Sequence, residues 1–95
     1  MTLLRHLALR CSNVEVSRRF YEEAIGFRFI DYRSQDGDGS LDLTDGTLNI
    51  TLLPYKGTRP ALEEGEEYVH FGIYVDDLHA AWHRLKASGA SGVKT

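Results

Sequence analysis

The sequence predicts an α+β fold made of one complete β-α-β-β-β module and the opening β-α of a second. Three observations predict it. The spacing of apolar residues switches along the chain between period 2, as in strands, and period 3.6, as in helices. A polar stretch from Tyr55 to Glu67, with Gly57, Pro60, Gly65 and an acidic run, divides the chain. The two β-α segments also match residue by residue, His6 to Val14 against His70 to Leu78, at a constant offset of 64 residues.

Each element has a local reason. Leu3 to Cys11 alternates and predicts a strand, with Leu7, Leu9 and Cys11 on one face. Ser12-Asn13 offers an N-cap, and Val14, Ser17, Phe20, Tyr21, Ala24 and Ile25 recur at helical spacing as a buried stripe. Gly26 falls where a left-handed C-terminal residue belongs. Phe27 to Arg33 predicts a second strand, rich in aromatics. The turn cluster Asp36 to Gly39 leads to a short third strand carrying Leu41 and Leu43. Asp45-Gly46 signals a two-residue hairpin into a fourth strand, Thr47 to Leu53, which Pro54 ends. Tyr68 to Val75 predicts a fifth strand. Asp76-Asp77 then caps a second helix with Leu78, Ala81, Trp82 and Leu85 inward, and Gly89 ends it. The domain plan is therefore a single domain over 1–95, with module one at 3–54, a linker at 55–67 and a partial module two at 68–95. A second module of equal length would need three more strands. Their absence from the sequence implies either a shortened form or a sheet completed by another chain, because a fifth strand alone keeps an unpaired edge.

Composition bounds the partners. The 95 residues are 42% hydrophobic and 26% charged, with a net charge of −3. This is ordinary globular composition with no basic footprint for nucleic acid. No apolar run approaches the ~18 residues of a membrane span. Arg5, His6 and Arg10 interrupt the N-terminal apolar residues, which argues against a secretory signal. The single cysteine, Cys11, excludes an internal disulfide, reads as a core residue and suits a reducing cytoplasm.

Strand parity locates a candidate site. If Leu7, Leu9 and Cys11 pack under the first helix, His6 and Arg10 face the other side of the sheet. In the fourth strand Leu48, Ile50 and Leu52 face the helix, so Asn49, Thr51 and Leu53 join the histidine side. By the repeat, His70 and Tyr74 follow. One sheet face is then apolar, and the other carries His6, Arg10, Asn49, Thr51, His70 and Tyr74. A partly polar concave face is what a small-molecule site needs.

These residues resemble the vicinal oxygen chelate superfamily, the glyoxalase/bleomycin resistance protein/dioxygenase family. The resemblance rests on His6-Leu7-Ala8-Leu9-Arg10, Phe20-Tyr21, Ile25-Gly26-Phe27 and Asp45-Gly46 with Leu48-Asn49-Ile50-Thr51-Leu52-Leu53. It continues through His70-Phe71-Gly72-Ile73 and Val75-Asp76-Asp77-Leu78, nearly the whole chain. It implies paired βαβββ modules around a cleft with a divalent metal (Zn, Fe, Mn, Ni or Mg) and His6 and His70 as first-strand ligands, while the parity reading supplies Arg10, Asn49, Thr51 and Tyr74 as the expected substrate-binding residues. Thr51 stands where the family often has a glutamate ligand. Two imidazoles alone do not hold a metal tightly, so an anionic third ligand has to come from elsewhere. The implied activity is metal-dependent lyase or isomerase, thiol-transferase or dioxygenase chemistry on a small oxygenated molecule. The alternative is a metal-free sequestering protein of the bleomycin-resistance type. Either form is expected to be a homodimer, since pairing two copies covers exposed strand edges. His79 and His83 stand i, i+4 on the second helix, away from its apolar stripe, and read as a solvated face. Asp36, Asp38, Ser40 and Asp42 only loosely resemble a calcium loop and read as part of a hairpin turn.

Overall fold

Four strands form one mixed sheet in the order β1-β4-β3-β2, where β1 is His6–Cys11, β2 Arg28–Tyr32, β3 Leu41–Thr44 and β4 Asn49–Pro54. The computed structural model describes residues 2–33, 37–57 and 71–92. Helix α1 (Val14–Phe20) runs into a wider π-type turn over Tyr21–Ile25, and helix α2 (Leu78–Ala87) follows later. β1 pairs parallel with β4, while β3 pairs antiparallel with both β4 and β2. The α+β class and the complete first module are as the sequence predicts.

Hydrophobic burial holds the module together. Leu41, Leu43 and Leu52 are 0% exposed, Ile50 2% and Cys11 8%, with Leu9, Val14, Tyr21 and Phe29 packed around them. Each fully buried leucine contributes about 1.5–3 kcal/mol relative to exposure. The Asn13 side chain accepts from the Val16 N–H at 3.1 Å and starts α1. Gly26, at φ 95, ends its last turn in the left-handed conformation glycine favours. Phe27 then stacks on Tyr21 with the rings 4° from parallel.

Four boundaries differ from expectation. The first strand begins at His6 because β4 begins at its partner Asn49, so Leu3 and Leu4, 55% and 79% exposed, have no ladder beside them among the described residues. The β3–β4 connection has four residues, Asp45 to Leu48, because one Asp45 carboxylate oxygen accepts from the N–H groups of both Thr47 and Leu48. β2 carries an irregularity between Phe29 and Asp31 that turns Ile30 outward, 47% exposed.

The fourth difference is the largest. The predicted fifth strand is not formed over residues 71–75, while 68–70 lie outside the described residues. The first module shows why. There β1 draws its ladder bonds from β4, and the described residues after α2 supply no equivalent strand. α2 still forms, capped by Asp77, whose side chain accepts from the Ala80 N–H at 2.9 Å. It packs through the small residues Ala81 and Ala24, and Arg84 Nε donates to the Ala24 carbonyl at the C-terminal end of the first helix. Leu78, expected inward, is 77% exposed because no second sheet lies under it among the described residues.

Candidate functional site

The sheet has one apolar and one polar face, and the register fixes which residues share the polar one. His6 stands opposite Asn49, and Asn49 opposite Thr44. In the next row Ala8 stands opposite Thr51, Thr51 opposite Asp42, and Asp42 opposite Asp31. Arg10 pairs with Leu53 beyond them. His6, Arg10, Asn49 and Thr51 therefore share one face, as parity predicts. His6, Arg10 and Asn49 are exposed, whereas Thr51 is 3% exposed.

A polar network occupies the middle of that face. The Thr51 hydroxyl donates to Asp42 Oδ1 at 2.6 Å, and the Arg33 guanidinium pairs with Asp42 Oδ2 at 3.2 Å. These charge-assisted bonds fix both the carboxylate and the hydroxyl. The hydroxyl oxygen keeps lone-pair capacity for a further donor. Arg10 donates to the Pro54 carbonyl at 3.0 Å, which lays its guanidinium along the end of β4. Asp42 and Arg33 were not singled out for this face from the sequence. The available signal was that Asp42 sits between Leu41 and Leu43, so alternation turns it to the polar side.

Tyr74 is not brought to this face. It is 89% exposed, in a segment outside the sheet where strand parity no longer governs its direction. With Leu7, Ile50, Phe27 and Phe71 it borders an apolar cavity of about 440 Å³ on the helix side. His70 lies outside the described residues. Among the described residues, no group of three or more His, Cys, Asp or Glu side chains converges on a common point. His6 and Asp42 stand two strands and one pleat apart, about 12 Å by sheet spacing, too far for one ion. The described residues alone therefore do not complete a metal site.

Two electrostatic features flank the face. Hydrogen bonds from the Ser40 hydroxyl and N–H, with Lys56 Nζ 3.3 Å away, hold the Asp38 carboxyl down to about 2. The Asp45 carboxyl is lowered by the N–H groups of Leu48 and Thr47. Both groups brace the ends of β3 and stand in its flanking turns.

A mixed four-stranded sheet with one face under helix α1 and the other lined by His, Arg, Asn and Thr defines a class of small α+β proteins. The chain belongs to the Glyoxalase/Bleomycin resistance protein/Dioxygenase superfamily, whose sequence profile matches residues 3–95. It is 33% identical over 94 residues to the uncharacterized protein YwkD of Bacillus subtilis strain 168, covering 90% of this chain and 71% of that one. It is 29% identical over 98 residues to a lactoylglutathione lyase of Neisseria meningitidis, covering 96% and 70%. The fold also matches a glyoxalase family protein from Bacillus anthracis, with TM-score 0.70, 21% identity and coverage of 94% and 71%. The fosfomycin resistance protein FosX of Listeria monocytogenes gives TM-score 0.69 at 18% identity, covering 94% and 67%. No helix among the described residues is long and apolar enough to cross a membrane.

Proposed function

We propose that the chain is an enzyme of this superfamily, of the glyoxalase-like kind, acting on a small oxygenated molecule laid across the polar sheet face. The observation that carries this reading is the shared register of His6, Asn49 and Thr51, with Asp42 one strand further on. About 12 Å from His6 to Asp42 suits a small substrate. Asn49 orients its oxygens, the buried Thr51 holds Asp42 in place through its hydroxyl, and Arg10 lies near for an anionic group. His6 and His70 are the imidazoles proposed for a divalent metal, with an anionic ligand from elsewhere. Such a metal would supply Lewis-acid stabilisation of negative charge developing on a substrate oxygen. The similarity to a lactoylglutathione lyase favours lyase or isomerase chemistry over thiol transfer or dioxygenation. A reducing cytoplasm fits the single Cys11.

The proposed working form is a homodimer. The exposed Phe71, Ile73 and Leu78 support it, at 39%, 40% and 77%. Light scattering at micromolar concentration is expected to give twice the chain mass, and a strict monomer contradicts it.

The test of the site is thermal unfolding with and without Zn²⁺, Mn²⁺ or Ni²⁺. A divalent ion at about a hundred times its Kd stabilises by about 2.7 kcal/mol. His6→Ala is expected to lower that gain, and an equal gain in the variant contradicts the metal role. One observation favours the metal-free alternative: Thr51 spends its hydroxyl on Asp42 and is a poor ligand. Saturable binding of a small organic ligand without metal, lost in Asn49→Ala, is the outcome that reading expects.

A further inference from the structure

The outer side of α2 carries two imidazoles that the sheet-face reading does not use. His79 and His83 are spaced i, i+4, so one helical turn stacks them. Both are exposed. Their Nε2 atoms lie 3.1 Å apart, with ring centroids at 4.5 Å and planes crossed at 84°. Two nitrogens each bound about 2.0–2.1 Å from one ion, at bond angles of roughly 90–109°, are themselves about 2.9–3.4 Å apart. The pair therefore already has the nitrogen–nitrogen distance of a chelate.

We propose that His79 and His83 form a weak, exchangeable two-imidazole site for a divalent transition-metal ion, taking Cu²⁺ ahead of Ni²⁺ and Zn²⁺ as the Irving–Williams order requires. Without an ion, the 3.1 Å contact is an N–H···N bond in which one ring holds its proton on Nε2. On binding, that proton moves to Nδ1 of the same ring. Both Nε2 lone pairs then face the ion, and the neutral pair releases no proton. Water fills the remaining positions, since no third His, Cys, Asp or Glu joins the pair among the described residues. Ala80 follows His79 where zinc proteases place their glutamate base, so the site binds an ion without the group that activates its water. Closing a ring across one turn also ties down the N-terminal half of α2, which otherwise rests on Ala81 and Arg84.

Trp82 reports directly on this site. It is the chain's one tryptophan, with its ring 4.9 Å from the His83 ring and 6.5 Å from the His79 ring. The experiment titrates the full chain with CuCl₂ and follows Trp82 emission. A saturable quench is expected, reversed by excess EDTA. His79→Ala and His83→Ala are each expected to weaken it at least about tenfold, the scale of lost coordination support. Both positions are exposed, so the variants keep the fold, checked by far-UV circular dichroism. His6→Ala is expected to leave the titration unchanged, so this site fails or stands separately from the sheet-face metal. Absence of a quench, a quench that survives both α2 substitutions, or one that His6→Ala removes would each overturn the proposal.

Discussion

The segments His6 to Val14 and His70 to Leu78 share one sequence pattern and meet different fates. In the first, His6–Cys11 is a strand, bonded along its whole length to β4. In the second, residues 71–75 have the same alternation but no strand partner among the described residues, and Phe71, Ile73 and Tyr74 are exposed. The helices behave alike, since Asn13 and Asp77 cap them through the same side-chain bond to the third N–H beyond. A helix closes its hydrogen bonds locally, whereas a strand borrows them from a neighbour. The repeat thus separates what a local sequence specifies from what a partner must supply.

That contrast orders the expected effects of substitution. The largest belongs to the module with its sheet complete. Leu52→Ala, at a side chain 0% exposed, is expected to cost about 2–5 kcal/mol in urea unfolding. The caps come next and separate the two regions. Asn13→Ala is expected to lower global stability by about 1 kcal/mol, because α1 is anchored on the core. Asp77→Ala removes an equivalent bond from α2, which rests mainly on the end of the first helix, so it is expected to speed amide exchange in α2 with little change in the global midpoint.

Smaller again is an effect confined to acid. Asp38 is lowered from 3.8 to about 2 by the Ser40 hydroxyl and N–H, with Lys56 assisting. A carboxyl lowered by folding stabilises above its unfolded value and loses that contribution as pH falls through its folded one. Stability is therefore expected to fall between about pH 4 and pH 2, and Asp38→Asn to flatten that part of the profile, read as Tm against pH. The smallest effect belongs to the second copy. Leu78→Ala, at a position 77% exposed, is expected to stay within about 0.5 kcal/mol of the parent. A loss as large as that of Leu52→Ala would mean the two regions are packed alike.

The sequence made the first module legible because each element there carries its own signal. Period marked the strand faces, Ser12-Asn13 the helix start, and Gly26 a stop. Parity placed His6, Arg10, Asn49 and Thr51 on one face correctly. It does not reach Tyr74, because parity holds only inside a paired strand. It passed over Asp42, because the run of carboxylates before it looked like a turn, while its pairing with Thr51 and Arg33 is a long-range fact of register. The i, i+4 histidines were visible as spacing, but the 3.1 Å approach of their nitrogens depends on rotamers that spacing does not set.

The most direct test of the central claim is residue-resolved amide exchange by NMR on the full chain, diluted until it is monomeric. The account predicts slow exchange for ladder-bonded amides of β1 and β4 and exchange near the free-peptide rate across residues 71–75. Protection of 71–75 equal to that of His6–Cys11 in the same monomeric sample would contradict it, by showing that the second copy forms its strand without a partner.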